Sequence, residues 1–404
     1  MTTRRGGESP LAGSDRRGAA VRSTTGIDEA VWGAPVPSIA ALERELARLR
    51  RAAGAHAKEQ SHSVARATVL NLVVYADRDT HALRAARATM RLSNRHPSRA
   101  IIVYGDRERE GADVAVQLHC HAPRPEESSQ VYYEQILARV RGDADDRVAS
   151  VVIPLLVPDL PVFLWWTGTP PEEARRFDDL LAIADRFIVD SSDFARPDRT
   201  LPVIAALAAT QRGRRFGVTD LNWTRLTPWR ELVAGFFDVE AWRPCLDEIV
   251  GVRVGFGVDM DGRDIHPSQA LLLVGWLASR LRWRSKGSLA PSEAGGLLFE
   301  MARRDGARVD IRIRPRFERG IEPGDTSGIR LQARHAGSLF EFVLKRAPDP
   351  HHVTAAVVVD GATRSIRVVP LPSAGIEDLL REELAIVGND HVFEEALHAL
   401  VTLA

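Results

Sequence analysis

Thr68-Val-Leu-Asn-Leu-Val-Val-Tyr75 is the stretch that decides the fold of the first half of the chain. Its apolar residues are nearly continuous rather than alternating, which predicts a strand buried on both faces. A helix is predicted to follow over 81–95, and apolar runs then alternate with helical patterns as far as residue 237. This alternation predicts a Rossmann-like α/β domain in which helices cover both faces of a mostly parallel sheet.

The remaining elements of this domain follow from the same periodicities. Further strands are predicted at 100–104, 114–118, 162–166 and 186–190. Helices are predicted at 134–140, 147–156, 201–212 and 229–237. Thr169-Pro-Pro-Glu172 has the spacing of a capping box with proline just inside it, so another helix is expected to begin there.

The pattern changes near Glu248, where apolar residues begin to alternate with polar ones. Asp305-Gly306 and Asp360-Gly361 stand where hairpin turns are needed. This half of the chain is therefore predicted to form an α+β domain with an antiparallel sheet. Its predicted strands are 249–257, 297–303, 309–313, 329–333, 339–344, 353–359 and 365–369, and its predicted helices are 267–281 and 393–403.

Four segments are expected along the chain: a disordered tail over 1–36, a helix over 37–62, the α/β domain over 63–240 and the α+β domain over 245–404. The tail is rich in Arg, Gly and Ser, a composition that favours disorder. Ser38 can cap the helix, whose apolar stripe is formed by Ile39, Leu42, Leu46 and Leu49. That stripe either packs on its own domain or forms a homo-oligomer contact.

Composition excludes several classes of protein. Lys plus Arg and Asp plus Glu both number 54 in the 404 residues, so no global charge favours nucleic acid or an anionic membrane. The stretch 148–168 is largely apolar, but Pro154, Pro158, Asp159 and Pro161 interrupt it well short of the roughly 20 apolar residues that a membrane span needs. Two cysteines, Cys120 and Cys245, cannot build a disulfide framework, which favours a cytoplasmic location.

No catalytic, cofactor or metal site is predicted. Ala76-Asp77-Arg78-Asp79 follows the first strand, where a dinucleotide-binding protein would have a glycine loop. The chain has neither a phosphate-binding loop nor a nucleophile elbow. His119-Cys120-His121 lacks the further ligands that a zinc site requires, and solvated or hydrogen-bonded histidines are the preferred interpretation.

Polar side chains follow several predicted strands, at the edge of the sheet where ligands bind in this fold class. They occur at 77–79, 105–107, 167–169 and 190–193. Among them, Asp190, Ser191 and Ser192 are predicted to bind a small polar ligand or a phosphate. The alternative is that these residues only cap the helices that follow.

Tryptophan and arginine are concentrated in the middle of the chain. Seven of the eight tryptophans lie between Trp165 and Trp283, and both residue types are enriched in interface hot spots. In Asp220-Leu-Asn-Trp-Thr-Arg-Leu-Thr-Pro-Trp-Arg230, packing within the chain and contact with a partner are equally supported. The predicted partner contacts are Trp223, Arg225, Trp229 and Arg230.

Four motifs in order give the chain a family resemblance, which covers roughly 64–404. They are Pro-Asp-Leu-Pro-Val-Phe-Leu-Trp-Trp (158–166), Asp-Ser-Ser-Asp-Phe (190–194), Asp220 to Arg230, and Trp-Leu-Ala-Ser-Arg-Leu-Arg-Trp (276–283). In this order they resemble the glucose-6-phosphate dehydrogenase assembly proteins, the OpcA family.

The resemblance implies a non-catalytic effector that binds glucose-6-phosphate dehydrogenase and promotes its assembly or activation at the entry to the oxidative pentose phosphate pathway. It implies no catalytic residues and no cofactor. Thiol redox control, which is linked to photosynthetic relatives, has little support from two cysteines. The alternatives are an enzyme or sensor that binds a sugar phosphate or nucleotide at the strand ends, and a structural scaffold.

Overall fold

The chain forms two compact units, Met1–Val189 and Asp190–Ala404. The computed structural model describes residues 21–22, 29–36, 41, 44, 47–48, 51, 55, 63–66, 68–92, 96–106, 111–121, 129–142, 145–210, 216–261, 266–292, 295–386 and 388–401.

The first unit is built on a mostly parallel sheet. Within this unit the strand order is β1-β2-β6-β7-β5-β4-β8-β9, with β3 beside β7. The six strands β3, β4, β5, β7, β8 and β9 are paired in parallel, whereas β6 runs antiparallel to β7. This confirms the predicted Rossmann-like α/β fold. The strands are β1 (Val21–Arg22), β2 (Glu29–Val36), β3 (Ser63–Arg66), β4 (Leu70–Ala76), β5 (Ser98–Asp106), β6 (Gly111–His121), β7 (Ser129–Arg141), β8 (Val162–Trp166) and β9 (Arg186–Val189).

The helices of this unit are α1 (Asp79–Leu92), α2 (Val148–Val152) and α3 (Arg175–Ala182), and a short 3-10 helix, Ile153–Leu155, extends α2. Every residue of β4 is buried, as its continuous apolar run predicts. Val73 lies opposite Ile101 on β5 and Leu164 on β8, so β4 is an interior strand of the sheet.

The predicted helix at 134–140 is wrong, because these residues lie in the thirteen-residue strand β7. Glu134 is buried there, and its carboxylate accepts hydrogen bonds from Arg99 at 2.8 and 2.9 Å. Gln135 donates to the Thr89 hydroxyl at 2.9 Å. These partners form hydrogen bonds with polar side chains that would otherwise be costly to bury. Because the partners lie elsewhere in the unit, the local sequence pattern does not predict them.

The helix predicted from the capping-box spacing of 169–172 is present, but its predicted start is too early, since α3 begins only at Arg175. Two consecutive prolines, Pro170 and Pro171, explain the delay. A residue that precedes proline is disfavoured in the helical region of backbone space, which disfavours a helix start at Thr169 and Pro170.

The second unit carries a nine-stranded sheet with the order β12-β14-β15-β11-β16-β17-β18-β19 and β13 beside β14. Every described pairing is antiparallel except that of β11 with β15. This confirms the predicted α+β fold with an antiparallel sheet. The strands are β10 (Gly217–Asp220), β11 (Ile249–Gly257), β12 (Arg284–Ser285), β13 (Ala290–Pro291), β14 (Leu297–Ala302), β15 (Arg308–Arg316), β16 (Thr326–His335), β17 (Ser338–Arg346), β18 (His352–Val359) and β19 (Ala362–Pro370).

Helices cover one face of this sheet. On β16, Ile329, Leu331 and Ala333 are buried, whereas Arg330 and Gln332 between them are partly exposed. The unit's helices are α4 (Pro197–Thr210), α5 (Leu221–Arg225), α6 (Thr227–Ala234), α7 (Ser268–Leu281), α8 (Ile376–Ala385) and α9 (His391–Val401), with 3-10 helices at Ser191–Asp193 and Glu240–Glu248.

Two glycines in the second unit have positions that require them. Gly361 follows Asp360 with both residues at positive φ, 80° and 47°, which confirms the predicted hairpin turn between β18 and β19. A Cβ on Gly275 of α7 would lie 2.5 Å from the carbonyl oxygen of Ala396 on α9. The two helices therefore pack backbone to backbone, with no room for a larger residue.

The predicted segment boundaries stay predictions. The contact pattern divides the chain after Val189, and β1 and β2 lie inside the range expected to be a tail. Positions 44, 47, 48, 51 and 55 of the predicted N-terminal helix are helical, but its apolar stripe lies outside the described residues. In the described part of the chain, every helix is too short or too polar to cross a bilayer.

Candidate functional site

Two motifs singled out in the sequence begin with an aspartate that caps a helix. Asp190 follows β9 in sequence and accepts a hydrogen bond from the Ser192 amide at 3.2 Å, capping the helix Ser191–Asp193. Asp220 ends β10 and accepts from the Asn222 amide at 2.9 Å, capping α5. Both aspartates have the extended backbone expected of capping residues.

The two motifs meet in a group of five residues that we call the polar cluster: Asp190, Ser191, Asp220, Asn222 and Arg225. Both Arg225 terminal nitrogens donate to the Asp190 carboxylate at 3.1 Å, a bidentate arrangement. Arg225 also donates to the Asn222 side-chain oxygen at 2.8 Å. Asn222 in turn donates to the Ser191 hydroxyl at 3.1 Å, and the Ser191 amide donates to Asp220 at 2.9 Å. The cluster is thus one continuous hydrogen-bond network.

The start of α7 ties this network to the sheet. The Ser268 hydroxyl donates to the Ser191 carbonyl at 2.5 Å. Gln269 donates to the Asn222 side-chain oxygen and to Asp325, both at 3.0 Å, and accepts from the Thr326 amide at 2.8 Å. Sequence reasoning missed these residues, because they lie far from the two motifs and carry no local signal.

Burial gives the cluster unusual electrostatics. Burial, and secondarily the neighbouring charge of Asp190, raises the pKa of Asp220 to about 7. Its Oδ2 atom has no hydrogen-bond partner among the described residues. Burial opposes the charge of Arg225, but Asp190 outweighs burial and raises the pKa of that guanidinium. Asp190 and Arg225 therefore form a charged pair, while burial favours the protonated form of Asp220.

The three residues predicted to bind a ligand lie mostly inside the unit. Asp190 and Ser191 are 1% and 0% exposed, and Ser192 is partly exposed with its hydroxyl donating to Asp190 at 2.5 Å. A ligand bound here would have to replace hydrogen bonds that these three residues already make within the unit. Ligand binding by Asp190, Ser191 and Ser192 stays a prediction.

The predicted partner contacts are of two kinds. Trp223 and Trp229 are only 3% and 2% exposed, so both rings serve packing within the unit. The Trp223 ring nitrogen donates to Asp390 at 2.9 Å, and its ring lies 5.5 Å from that of Phe393. Trp223 therefore anchors the beginning of α9.

Arg230 stacks on the Trp223 ring, with its guanidinium carbon 3.5 Å from the ring centroid. It also donates to the Trp223 carbonyl at 2.8 Å and to the Thr227 hydroxyl at 2.9 Å. Burial lowers the pKa of Arg230 to about 10, although Asp390 and neighbouring glutamates offset part of that effect. A role for Trp223, Arg225, Trp229 and Arg230 in binding a partner stays a prediction.

The strand ends of the first unit meet as predicted for β4, β5 and β8. The chain's own side chains occupy this edge: the Tyr75 hydroxyl donates to Asp145 at 2.8 Å, and a Cβ on Gly105 would lie 2.5 Å from that hydroxyl. Asp77 pairs with His81 at 2.9 Å. Burial acts to raise the pKa of Asp77, but His81, Arg78 and a backbone hydrogen bond together outweigh burial and lower it.

No group of three or more His, Cys, Asp or Glu side chains in the described part of the chain is arranged to hold a metal ion. His119, Cys120 and His121 end β6, but their side chains lie outside the described residues. Cys245 is a buried free thiol. A cavity of about 470 Å³ in the second unit is bordered by Arg319, Lys345 and Arg346 among others.

Two family models match successive parts of the chain, and both describe a glucose-6-phosphate dehydrogenase subunit. Residues 89–206 match the model for the N-terminal domain of that subunit. Residues 216–397 match the model for its C-terminal domain. Together the two matched ranges take in most of the chain.

Curated relatives carry the description putative OxPP cycle protein OpcA. The protein from Synechocystis sp. is 34% identical over 174 residues, 43% of this chain and 34% of the relative. The Nostoc punctiforme protein is 35% identical over 191 residues, 47% and 39% of the two chains. The match to the Synechococcus elongatus protein is longer, at 26% identity over 80% of this chain and 71% of the relative. The first two matches thus span well under half the length of those relatives.

Among solved structures, a 3-ketoreductase from Actinomadura kijaniata is 12% identical, with 83% of this chain and 95% of that chain covered and a TM-score of 0.47. A levoglucosan dehydrogenase is 11% identical, with 83% and 94% covered and a TM-score of 0.44. These likenesses are too distant to carry a conclusion about chemistry.

Proposed function

The chain belongs to the family of glucose-6-phosphate dehydrogenase subunit proteins that includes OpcA, and from this premise we propose that it is a non-catalytic effector of that dehydrogenase. It binds glucose-6-phosphate dehydrogenase and promotes its assembly or activation in the oxidative pentose phosphate pathway. It acts in the cytoplasm.

One observation carries the proposal. The two family models match in chain order, and both are described as domains of a subunit of this dehydrogenase. The names of the relatives, which place them in the OxPP cycle, support the same pathway. A subunit that accompanies an enzyme needs a stable fold and a docking surface rather than a reactive centre.

The geometry of the polar cluster supports a structural role for Ser191 and Asp190, the two residues that most resemble catalytic ones. The Ser191 hydroxyl, the obvious nucleophile, is fully buried and accepts a hydrogen bond from Asn222. Asp190 is held by Arg225 in a bidentate pair. These contacts join the two motifs to each other, which favours a role in positioning α5 over a role in chemistry.

Activation imposes a thermodynamic condition on this function. An effector shifts an enzyme toward its active state only if it binds that state more tightly than the inactive one. A tenfold preference corresponds to about 1.4 kcal/mol, and equal affinity for both states shifts nothing. The function therefore predicts tighter binding when the dehydrogenase carries a ligand that holds it active.

The test is a titration of the full chain into purified glucose-6-phosphate dehydrogenase from the same organism. Enzyme activity and oligomer mass are followed together, with equal dilution by buffer as the control. A saturable rise in activity or a shift in assembly supports the effector function. Binding without any kinetic change supports a scaffold instead, and no binding at micromolar concentration sinks both.

The alternative function is an enzyme or sensor that takes a sugar phosphate or nucleotide at the strand ends of the first unit. The meeting of β4, β5 and β8 at one edge favours this alternative. It predicts a thermal shift with glucose 6-phosphate or a nicotinamide nucleotide when the dehydrogenase is absent. Asp77→Ala should abolish such a shift, whereas the exposed Asp146→Ala should not.

A further inference from the structure

The face of the second unit's sheet that helices do not cover carries an ordered row of side chains. Residues that lie directly opposite one another on paired strands point to the same face. Leu298, Arg312, Arg253, Arg330, Val343, Ala356 and Ile366 are opposite one another in succession from β14 to β19. This row crosses seven strands.

Three arginines occupy the middle of that row, and we call Arg312, Arg253 and Arg330 the arginine row. Arg253 lies opposite Arg312 on one side and opposite Arg330 on the other. Arg253 is exposed, and the other two are partly exposed. Positive side chains directly opposite each other on neighbouring strands repel, so this arrangement destabilises the free protein.

Little within the chain neutralises these charges. Arg330 pairs with Glu341 at 3.2 Å. Across the described residues, neither Arg253 nor Arg312 has an ion-pair or hydrogen-bond partner, and the same is true of Arg314, which lies opposite Gly255 in the adjoining row. Arg253, Arg312 and Arg314 thus place three unpaired guanidiniums on one face of the sheet, which is suited to bind a negatively charged surface.

Apolar side chains border the arginine row at both ends. Ile366 and Val368 on the edge strand β19 are 66% and 63% exposed, and they share the face of the row. Leu298 on β14 is also exposed. Arginine flanked by apolar residues is the composition found in protein interfaces rather than in an ordinary solvated surface.

We propose that this open face is the docking surface for glucose-6-phosphate dehydrogenase, and that the arginine row meets an acidic patch on that enzyme. The inference rests on the proposed function and adds to it the face used and the charge of the partner. A second copy of this chain fits the face poorly, because docking by the same face would set arginines against arginines.

The test compares binding of the purified dehydrogenase to four forms of the full chain. They are the wild type, the reversal Arg253→Glu with Arg312→Glu, the neutral pair Arg253→Gln with Arg312→Gln, and the control Arg304→Glu in the exposed turn before β15. Reversal should raise the Kd at least about tenfold, and the neutral pair should raise it less. The control should change the Kd less than about twofold, and added salt should weaken the wild type more than the neutral pair.

Several results would overturn the docking surface. If the wild type binds and the reversed variant binds equally well, the face is wrong and the proposed function stands. If the wild type does not bind, both proposals fall. Equal weakening by Arg304→Glu would indicate general charge steering, and dissociation of a homo-oligomer by the arginine variants would make a second copy the occupant. The neutral pair keeps the test decisive if the reversed variant does not fold.

Discussion

Arginine is used in opposite ways in two regions of the second unit. In the polar cluster, Arg225 is bound at two points by a buried carboxylate, and each neighbouring polar group continues the same network. In the arginine row, three guanidiniums lie side by side, and the one ion pair they make with described residues joins Arg330 to Glu341. In the first arrangement the arginine is neutralised inside the fold, and in the second most of the positive charge stays exposed at the surface. Paired charges in the polar cluster therefore stabilise the fold, whereas the unpaired charges of the arginine row form the proposed docking surface.

The largest effect is expected from removing the arginine of the charged pair in the polar cluster. Arg225→Ala should lower the free energy of unfolding by about 3–5 kcal/mol, because Asp190 would keep a buried charge without its partner. Denaturant unfolding measures the loss. Arg196→Ala, which breaks the exposed pair of Arg196 with Asp198, is the control and should cost less than about 1 kcal/mol. Equal losses in the two variants would contradict the distinction.

The protonation of buried Asp220 is expected to make the stability of the protein depend on pH. Its folded pKa of about 7 lies above the ordinary aspartate value near 3.9, so the folded state binds the extra proton between those values. Stability contributed by this group is therefore full below about pH 4 and is lost as the pH rises through about 7, by on the order of 4 kcal/mol. Asp220→Asn should flatten that part of the pH profile, measured as unfolding free energy from pH 4 to pH 8. A variant profile parallel to the wild type would show that Asp220 does not titrate in this range.

A smaller effect is expected where Trp223 anchors α9. Trp223→Phe removes the hydrogen bond to Asp390 and weakens the stacking with Arg230. The expected cost is about 1–3 kcal/mol, since a partly buried acceptor loses its donor. Trp229→Phe, at a ring that is equally buried but makes no hydrogen bond with described residues, is the matched control. If the two variants lose the same stability, the hydrogen bond contributes nothing beyond ring packing.

The smallest effect has the opposite sign. Arg253→Gln with Arg312→Gln should stabilise the free protein by about 0.2–1 kcal/mol, because it relieves repulsion between neighbouring strands. Thermal unfolding measures this gain, and Arg304→Gln serves as the reference. Loss of stability in the paired variant would mean that the arginine row supports the sheet, and the contrast with the polar cluster would then fail.

Local periodicity carried the fold prediction where a segment's surroundings are uniform. β4 is apolar throughout because both of its faces are covered, and β16 alternates because one face is open. The failure at 134–140 has the opposite cause. Glu134 and Gln135 are helix-forming, polar residues, and they become acceptable in a buried strand only through Arg99 and Thr89. A partner 35 residues away leaves no trace in a local pattern.

The candidate site was predictable in outline and not in orientation. Capping by Asp190 was the alternative to ligand binding, and the fold brings its motif together with the motif that begins at Asp220. The direction in which Trp223 faces depends on Asp390, which lies 167 residues further along the chain. The helix α8 was not predicted, although Leu379, Leu380 and Leu384 have the spacing of an apolar helix face.

The arginine row also presents positive charges at a regular spacing. Neighbouring strands lie about 4.8 Å apart, so the three side chains leave the sheet at nearly that interval. A helix laid across the strands rises about 5.4 Å per turn, which is close enough to offer one residue to each arginine over two turns. The acidic residues that complement this face would therefore recur every three or four positions in the partner's sequence, a periodicity that can be searched for before any complex is made.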